Sequence, residues 1–286
     1  MLRFTRPLHV FLAALTYLFG ASLADYLGRP FVASSYWLGL FIAVLAQATM
    51  NFLAEVFRLD VEPLLENETR SARQILRNQI LYTALAFIVI IALACYTLFA
   101  NGLLPLSSFL FLLVSIVVIV TYAIPPLRFV NRGGGEFLLS VQLAYLLPCF
   151  AFTLQAGETH RFLAQTLPLT FLALAYFVAA DFQTFAQDQK LHRVSFLVRL
   201  GWERVVPLHH VFILLAYLLF LVSPAFGLSL SLIWSVFLTF PFALFQIYQL
   251  RSIALGAKPN WTLLHATSLG VFGLTTYLLT VTLWLR

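Results

Sequence analysis

Apolar residues run along this chain in long unbroken stretches, not in alternation. Leu, Phe, Ala, Ile and Val fill segments at approximately 9–27, 33–56, 79–100, 104–124, 137–156, 163–183, 205–224, 227–249 and 261–285. Each has the length, about 17–25 residues, that a helix needs to cross a roughly 30 Å hydrocarbon layer. A barrel strand would alternate over about ten residues, and these runs do not. The pattern predicts an all-α polytopic membrane protein: nine transmembrane helices forming a single integral membrane domain over 1–286, with no soluble domain appended. The first segment reads as a span and not as a cleaved signal. No convincing small-residue cleavage site follows it, and Asp25 and Arg29 continue it as an ordinary loop.

Composition agrees with the pattern. Hydrophobic residues make up 62% of the chain and charged residues only 10%, where a soluble domain carries roughly 25%. There is too little charge to keep a surface wet. The net charge of +6 would suggest nucleic acid in a soluble protein. Here it is mostly a topology signal, and no nucleic-acid partner is expected. Of the 17 Lys and Arg residues, all but Arg29, Arg161 and Arg286 fall on one side of the predicted bundle. By the positive-inside rule that side is cytoplasmic. The N-terminus is then inside and the C-terminus on the opposite side, as an odd number of spans requires. Cys95 and Cys149 both lie within predicted spans, without a CxxC pair, and read as core residues.

Chemistry concentrates at the cytoplasmic ends of the second and sixth spans. Of 11 acidic residues, five lie between Glu55 and Glu68: Glu55, Asp60, Glu62, Glu66 and Glu68. Asp181 and Asp188 flank the end of the sixth span. Glu62, Glu66 and Glu68 read as ordinary residues of a solvated loop. Asn51 and Glu55, spaced i, i+4, share one helix face, and Asp181 and Asp188, spaced i, i+7, share another. Polar groups at such depth should face the bundle interior or a wet cavity. Two such faces in opposition would make an oxygen-ligand site of the kind Mg²⁺ prefers. With no charged residue near the middle of a span, the pattern argues against an ion-coupled carrier. His9, His209, His210 and His265 have no partner ligands in sequence and read as packed or hydrogen-bonded.

Three stretches together resemble the UbiA superfamily of intramembrane prenyltransferases. NFLAEVFRLD (51–60) stands where that family has an Asn-x-x-x-Asp-x-x-x-Asp motif. YAIPPLRFVNRGGGEF (122–137) is similar to its loop before the fifth span. DFQTFAQDQKLHRVSFLVRLG (181–201) is similar to its second acidic motif and tail. The resemblance implies a UbiA-like bundle in which two acidic helices hold Mg²⁺ against the diphosphate of an isoprenyl donor. Ionisation then gives an allylic cation that an electron-rich acceptor attacks. Carried onto this chain, it implies Asn51, Glu55, Asp181 and Asp188 as catalytic residues and Glu55, Asp60, Asp181 and Asp188 as metal ligands. Lys190, Arg70, Tyr122 and Arg128 would contact substrate.

This sequence departs from the motif. Glu55 replaces the second-position Asp. Leu59 occupies the third position, with Asp60 one residue on, so Asp60 can serve only if the helix breaks there. Thr184 stands where an Asp is expected ahead of Asp188, with Asp181 one turn earlier. Within YAIPPLRFVNRGGGEF, Pro125 and Pro126 stop the fourth span, the glycine triplet permits a tight re-entry, and Glu136 complements a helix N-terminus. The expected activity is transfer of a polyprenyl group to a lipid-soluble, quinone-precursor-like acceptor, with membrane lipid around the bundle. The alternatives are a terpene cyclase and a catalytically weakened binding or assembly subunit with a protein partner.

Overall fold

The computed structural model describes residues 2–59, 61–64 and 69–286. Among them, nine helices are long and apolar enough to cross a membrane. They are α1 (Pro7–Tyr26), α2 (Ala33–Val56), α3 (Arg70–Ala100), α4 (Leu106–Ala123), α5 (Gly135–Ala156), α6 (Arg161–Lys190), α7 (Trp202–Ala225), α8 (Leu230–Ala254) and α9 (Trp261–Trp284). The nine predicted spans are all present, and two are longer than their apolar stretches. Helix α3 begins at Arg70, where the Thr69 hydroxyl caps it by accepting from Ala72 N at 3.2 Å. Helix α6 runs on to Lys190. Asp188 and Thr184 therefore lie on helix and not in a loop.

The spans differ in how far they are enclosed. In α2, α5 and α6 between 72% and 83% of the most apolar stretch is buried, against 17% in α3. Helices α1, α2, α5 and α6 form the centre. Helix α3 packs mainly on α2 and leaves Tyr82, Val89, Leu93 and Tyr96 exposed. A lipid-facing surface needs no polar groups, so exposed apolar side chains here are consistent with a bilayer as solvent.

Close helix approach in lipid depends on small residues, and two glycines on the central helices show why. A Cβ on Gly20 of α1 would stand 2.1 Å from the Pro148 carbonyl oxygen of α5. One on Gly39 of α2 would stand 2.3 Å from the Tyr17 hydroxyl, which itself donates to the Tyr36 carbonyl at 2.9 Å. Helices α1 and α5 thus meet almost backbone to backbone, and α2 packs at Gly39 against the Tyr17 and Leu154 side chains. Their ends on one side of the bundle bring the N-terminal turn, the 124–134 loop and the 191–201 segment to one place.

Candidate functional site

The N-terminal turn is anchored by the predicted polar face of α2. Asn51 Nδ2 donates to the Thr5 carbonyl at 2.7 Å, and Gln47 Nε2 donates to Asn51 Oδ1 at 3.2 Å. One turn on, Glu55 Oε1 accepts from Arg6 Nη2 at 3.0 Å, and Glu55 also pairs with Arg58. Arg58 in turn lies 3.9 Å from Glu62. Glu55 is only 3% exposed and Glu62 6%, so Glu62 is a buried counter-ion and not a solvated loop residue as its sequence context suggested. Asn51 and Glu55 do share a face, and that face grips the segment entering α1.

The other motif loops are locked to each other. Gly133 N donates to the Val194 carbonyl at 2.7 Å, closing an isolated bridge between Arg132 and Val194. Arg199 Nη1 donates to the Arg132 carbonyl at 3.0 Å. Gly133 has φ +70° and a Cβ there would meet Arg199, which leaves this position to glycine. Glu136, in the first turn of α5, accepts from Phe196 N at 3.1 Å, and Ser195 caps the short helix Phe196–Leu200 by accepting from Val198 N at 3.3 Å. These bonds fix Arg193 at the rim of the bundle, with its own N–H bonded to the Asp188 carbonyl at 2.9 Å.

Beneath this lock lies a polar cavity of about 230 Å³. Arg6 and His9 contribute from the start of α1, Tyr122 from α4, Glu136 from α5, Phe177, Asp181 and Thr184 from α6, Arg193 from the rim, and His265 from α9. Asp181 Oδ2 and Glu136 Oε2 are buried and can satisfy each other only by sharing a proton, and Arg193 Nε is buried without a hydrogen-bond partner. Buried polar atoms left unsatisfied are costly, and here they converge on one cavity.

The expected site residues divide into three groups. Asp181 and Tyr122 line the cavity. Asn51, Glu55 and Asp188 sit behind its wall and act on what lines it: Asn51 and Glu55 on the Thr5–Arg6 segment, and Asp188 on Arg193, whose guanidinium lies 3.8 Å from Asp188 while the Thr184 hydroxyl donates to Asp188 at 3.0 Å. Arg128 is buried, 8% exposed, in the loop above. Burial pushes the Arg58 and Arg128 guanidiniums down from their ordinary value, and Glu55 and Glu62 pull them back. Lys190 and Arg70 are exposed and do not line the cavity. Asp60, Glu66 and Glu68 lie outside the described residues.

The sequence reading brought Asp181 and Asp188 onto one face opposite Glu55 as ligands of a common cation. Among the described residues, no three His, Cys, Asp or Glu side chains come together as metal ligands. The reason is visible in the ion pairs: Glu55 is held by two guanidiniums and Asp188 by a third. A cation at either carboxylate would face like charge at close range. Glu55 and Asp188 therefore do not fit as ligands of a carboxylate-bound Mg²⁺, and the two carboxyls that line the cavity, Asp181 and Glu136, are hydrogen-bonded to each other.

Sequence reasoning missed Arg6, Arg193 and Glu136, and it set aside His9 and His265. The arginines were absorbed into the topology charge, and Glu136 into the glycine loop. Their signal was depth: each lies within one turn of a span end, where a charge in lipid demands a partner.

The UbiA prenyltransferase family matches residues 13–266 of this sequence. The chain belongs to that family. Its nine-helix bundle is also similar to solved UbiA structures. A UbiA homologue from Archaeoglobus fulgidus bound to GPP and Mg²⁺ aligns with a TM-score of 0.67 at 16% identity, over 99% of this chain and 98% of that one. A UbiA homologue from Aeropyrum pernix K1 in its apo form gives 0.60 at 12% identity, over 95% of each chain. A digeranylgeranylglyceryl phosphate synthase gives 0.57 at 13% identity, over 97% of this chain and 92% of that one. At such identities the likeness speaks for the fold. No curated protein sequence matches the chain. In this UbiA-family protein the polar cavity lies at the end of the bundle where the family's motif stretches meet.

Proposed function

We propose that this UbiA-family protein transfers a polyprenyl group from a polyprenyl diphosphate to a lipid-soluble aromatic acceptor of the quinone-precursor type, within the cavity between α1, α4, α5, α6 and α9. The observation that carries the reading is a charged cavity enclosed in an apolar bundle. An apolar groove of about 390 Å³, lined by Phe11 and Leu15 of α1 and by Ala266, Leu269 and Gly273 of α9, runs along the same two helices that bring His9 and His265 to the cavity. A diphosphate in the cavity and its isoprenoid tail in the groove would match both surfaces. The basic residues cluster at the cavity end, which supports a cytoplasmic N-terminus and a cytoplasmic source of the donor.

In this chemistry the donor's C–O bond breaks heterolytically, giving diphosphate and an allylic cation. A ring carbon of the acceptor forms the new C–C bond, and its proton must leave to restore aromaticity. The Tyr122 and Phe177 rings lining the cavity offer faces to the cation. The Asp181 and Glu136 carboxyls, hydrogen-bonded to each other in the cavity lining, are the candidate proton acceptor. The relatives with bound donor also contain Mg²⁺. Because the described residues here supply no ligand set, none of these steps is assigned to a metal.

Purified protein given polyprenyl diphosphates and hydroxylated aromatic acceptors should release diphosphate and form a prenylated product, with mass spectrometry reading both. Neither release nor binding across a broad panel of chain lengths and acceptors would reject the reading. Diphosphate release with a hydrocarbon or alcohol product and no acceptor would indicate a cyclase. The ion-paired state of Glu55 and Asp188 favours one further reading, a binding or assembly subunit. It predicts donor binding without turnover and stable co-purification with a partner.

A further inference from the structure

We infer that this chain binds the donor's diphosphate directly through guanidinium groups, with Arg6 and Arg193 occupying the electrostatic role of a divalent metal. The inference rests on the prenyl-diphosphate reading above and concerns the same cavity. It starts from the disagreement between the residues present and a carboxylate-bound cation. Glu55 lies between Arg6, at 3.0 Å, and Arg58. Asp188 has Arg193 at 3.8 Å and Thr184 at 3.0 Å. Two of the carboxylates that would face a metal, Glu55 and Asp188, are already neutralised by the protein's own cations, and Asp181 is hydrogen-bonded to Glu136. The cavity itself is lined by Arg6 and Arg193 together with the mutually hydrogen-bonded carboxyls of Asp181 and Glu136, and not by Glu55 or Asp188.

Donor capacity remains on these arginines. A guanidinium carries five N–H donors in a fixed fork. Arg6 gives one to Glu55 and one to Tyr122, which leaves others free. Arg193 makes only a long ion pair, and its Nε is buried without a partner. A diphosphate presents several anionic oxygens in the geometry that two such forks match bidentately. The supports are specific. Asn51 ties down the turn carrying Arg6, and the Arg132–Val194 bridge together with the Arg193 N–H bond to Asp188 sets Arg193 on the opposite rim. Glu55 and Asp188 are then positioning residues that hold the guanidiniums in place.

The test is equilibrium binding of dimethylallyl diphosphate to the full-length protein in lipid nanodiscs, by calorimetry without acceptor, once in EDTA and once in excess Mg²⁺. The wild-type affinity should change by less than about threefold between the two, since no bond to a metal is lost. Arg193→Gln should weaken binding in EDTA by about tenfold or more, as removal of a charge-assisted bidentate contact does. Arg6→Gln leaves Glu55 with one partner fewer and can harm folding. The Arg6→Gln/Glu55→Gln double variant removes both charges together, and it too should bind weakly in EDTA. Loss of wild-type binding in EDTA with recovery in Mg²⁺ would overturn the inference and leave the prenyltransferase reading standing. So would arginine variants that bind as the wild type does. No binding under either condition would reject the prenyl-diphosphate reading itself, and this inference with it.

Discussion

Glu55→Gln should lower prenyl transfer by about 10²-fold or more while the bundle stays folded, because misplacing a substrate-binding group by about 1 Å is enough for such a loss. The change is nearly isosteric, and it removes the charge that holds Arg6 and Arg58 together at the base of α2. Stripping one partner from a fully buried ion pair costs about 3–5 kcal/mol. Here the side chains of Arg6 and Arg58 are 26% and 25% exposed, so water takes up part of the loss and the fall in stability should be nearer 1–2 kcal/mol. The functional loss is larger because Arg6 would no longer be fixed in the cavity wall. Single-turnover rates and thermal unfolding on the same preparation separate the two effects. Equal turnover in variant and wild type would remove Glu55 from the site. A collapse of folding comparable to the loss of rate would make it structural.

Gly20→Val should be among the most damaging substitutions for stability. A Cβ at position 20 would fall 2.1 Å from the Pro148 carbonyl oxygen and 2.7 Å from the Pro148 Cα, both backbone atoms. No rotamer change relieves a clash with backbone, so α1 and α5 would have to separate. Overpacking of this kind typically costs about 1–3 kcal/mol even where side chains can yield, and here the upper end or more is expected. The same separation would shift Arg6 and His9 at the start of α1 relative to Glu136 at the start of α5. Thermal unfolding in detergent should show a clearly lowered midpoint. Gly102→Ala is a useful comparison: its Cβ would meet nothing within 4 Å, so only the strain of its φ of +69° should register.

What could be read from sequence followed the length scale of the signal. Spans are long and apolar, so nine helices and the centre of each were visible, with α2 matching its predicted 33–56 bounds. The start of α3 and the end of α6 were less visible, because the first turns of α3 and the last turns of α6 are polar and hydropathy cannot distinguish a polar helix from a loop. Asn51 and Glu55 were legible as a face, since their i, i+4 spacing is local. What that face touches was not. It is met by Thr5 and Arg6, some 46 and 49 positions away in the chain, a pairing no periodicity encodes. Arg193 and Glu136 share that limitation: each reaches the cavity through a bond between loops far apart in sequence, Gly133 to Val194 and Glu136 to Phe196.

The central claim is that the diphosphate sits in the Arg6–Arg193 cavity, and a structure with donor bound tests it most directly. Cryo-electron microscopy of the protein in nanodiscs with geranyl diphosphate should show the diphosphate between the Arg6 and Arg193 guanidiniums, above Asp181 and Glu136, with the isoprenoid tail entering the groove beside Phe11 and Gly273. Donor density elsewhere in the bundle, with the Arg6–Arg193 cavity empty, would contradict the account.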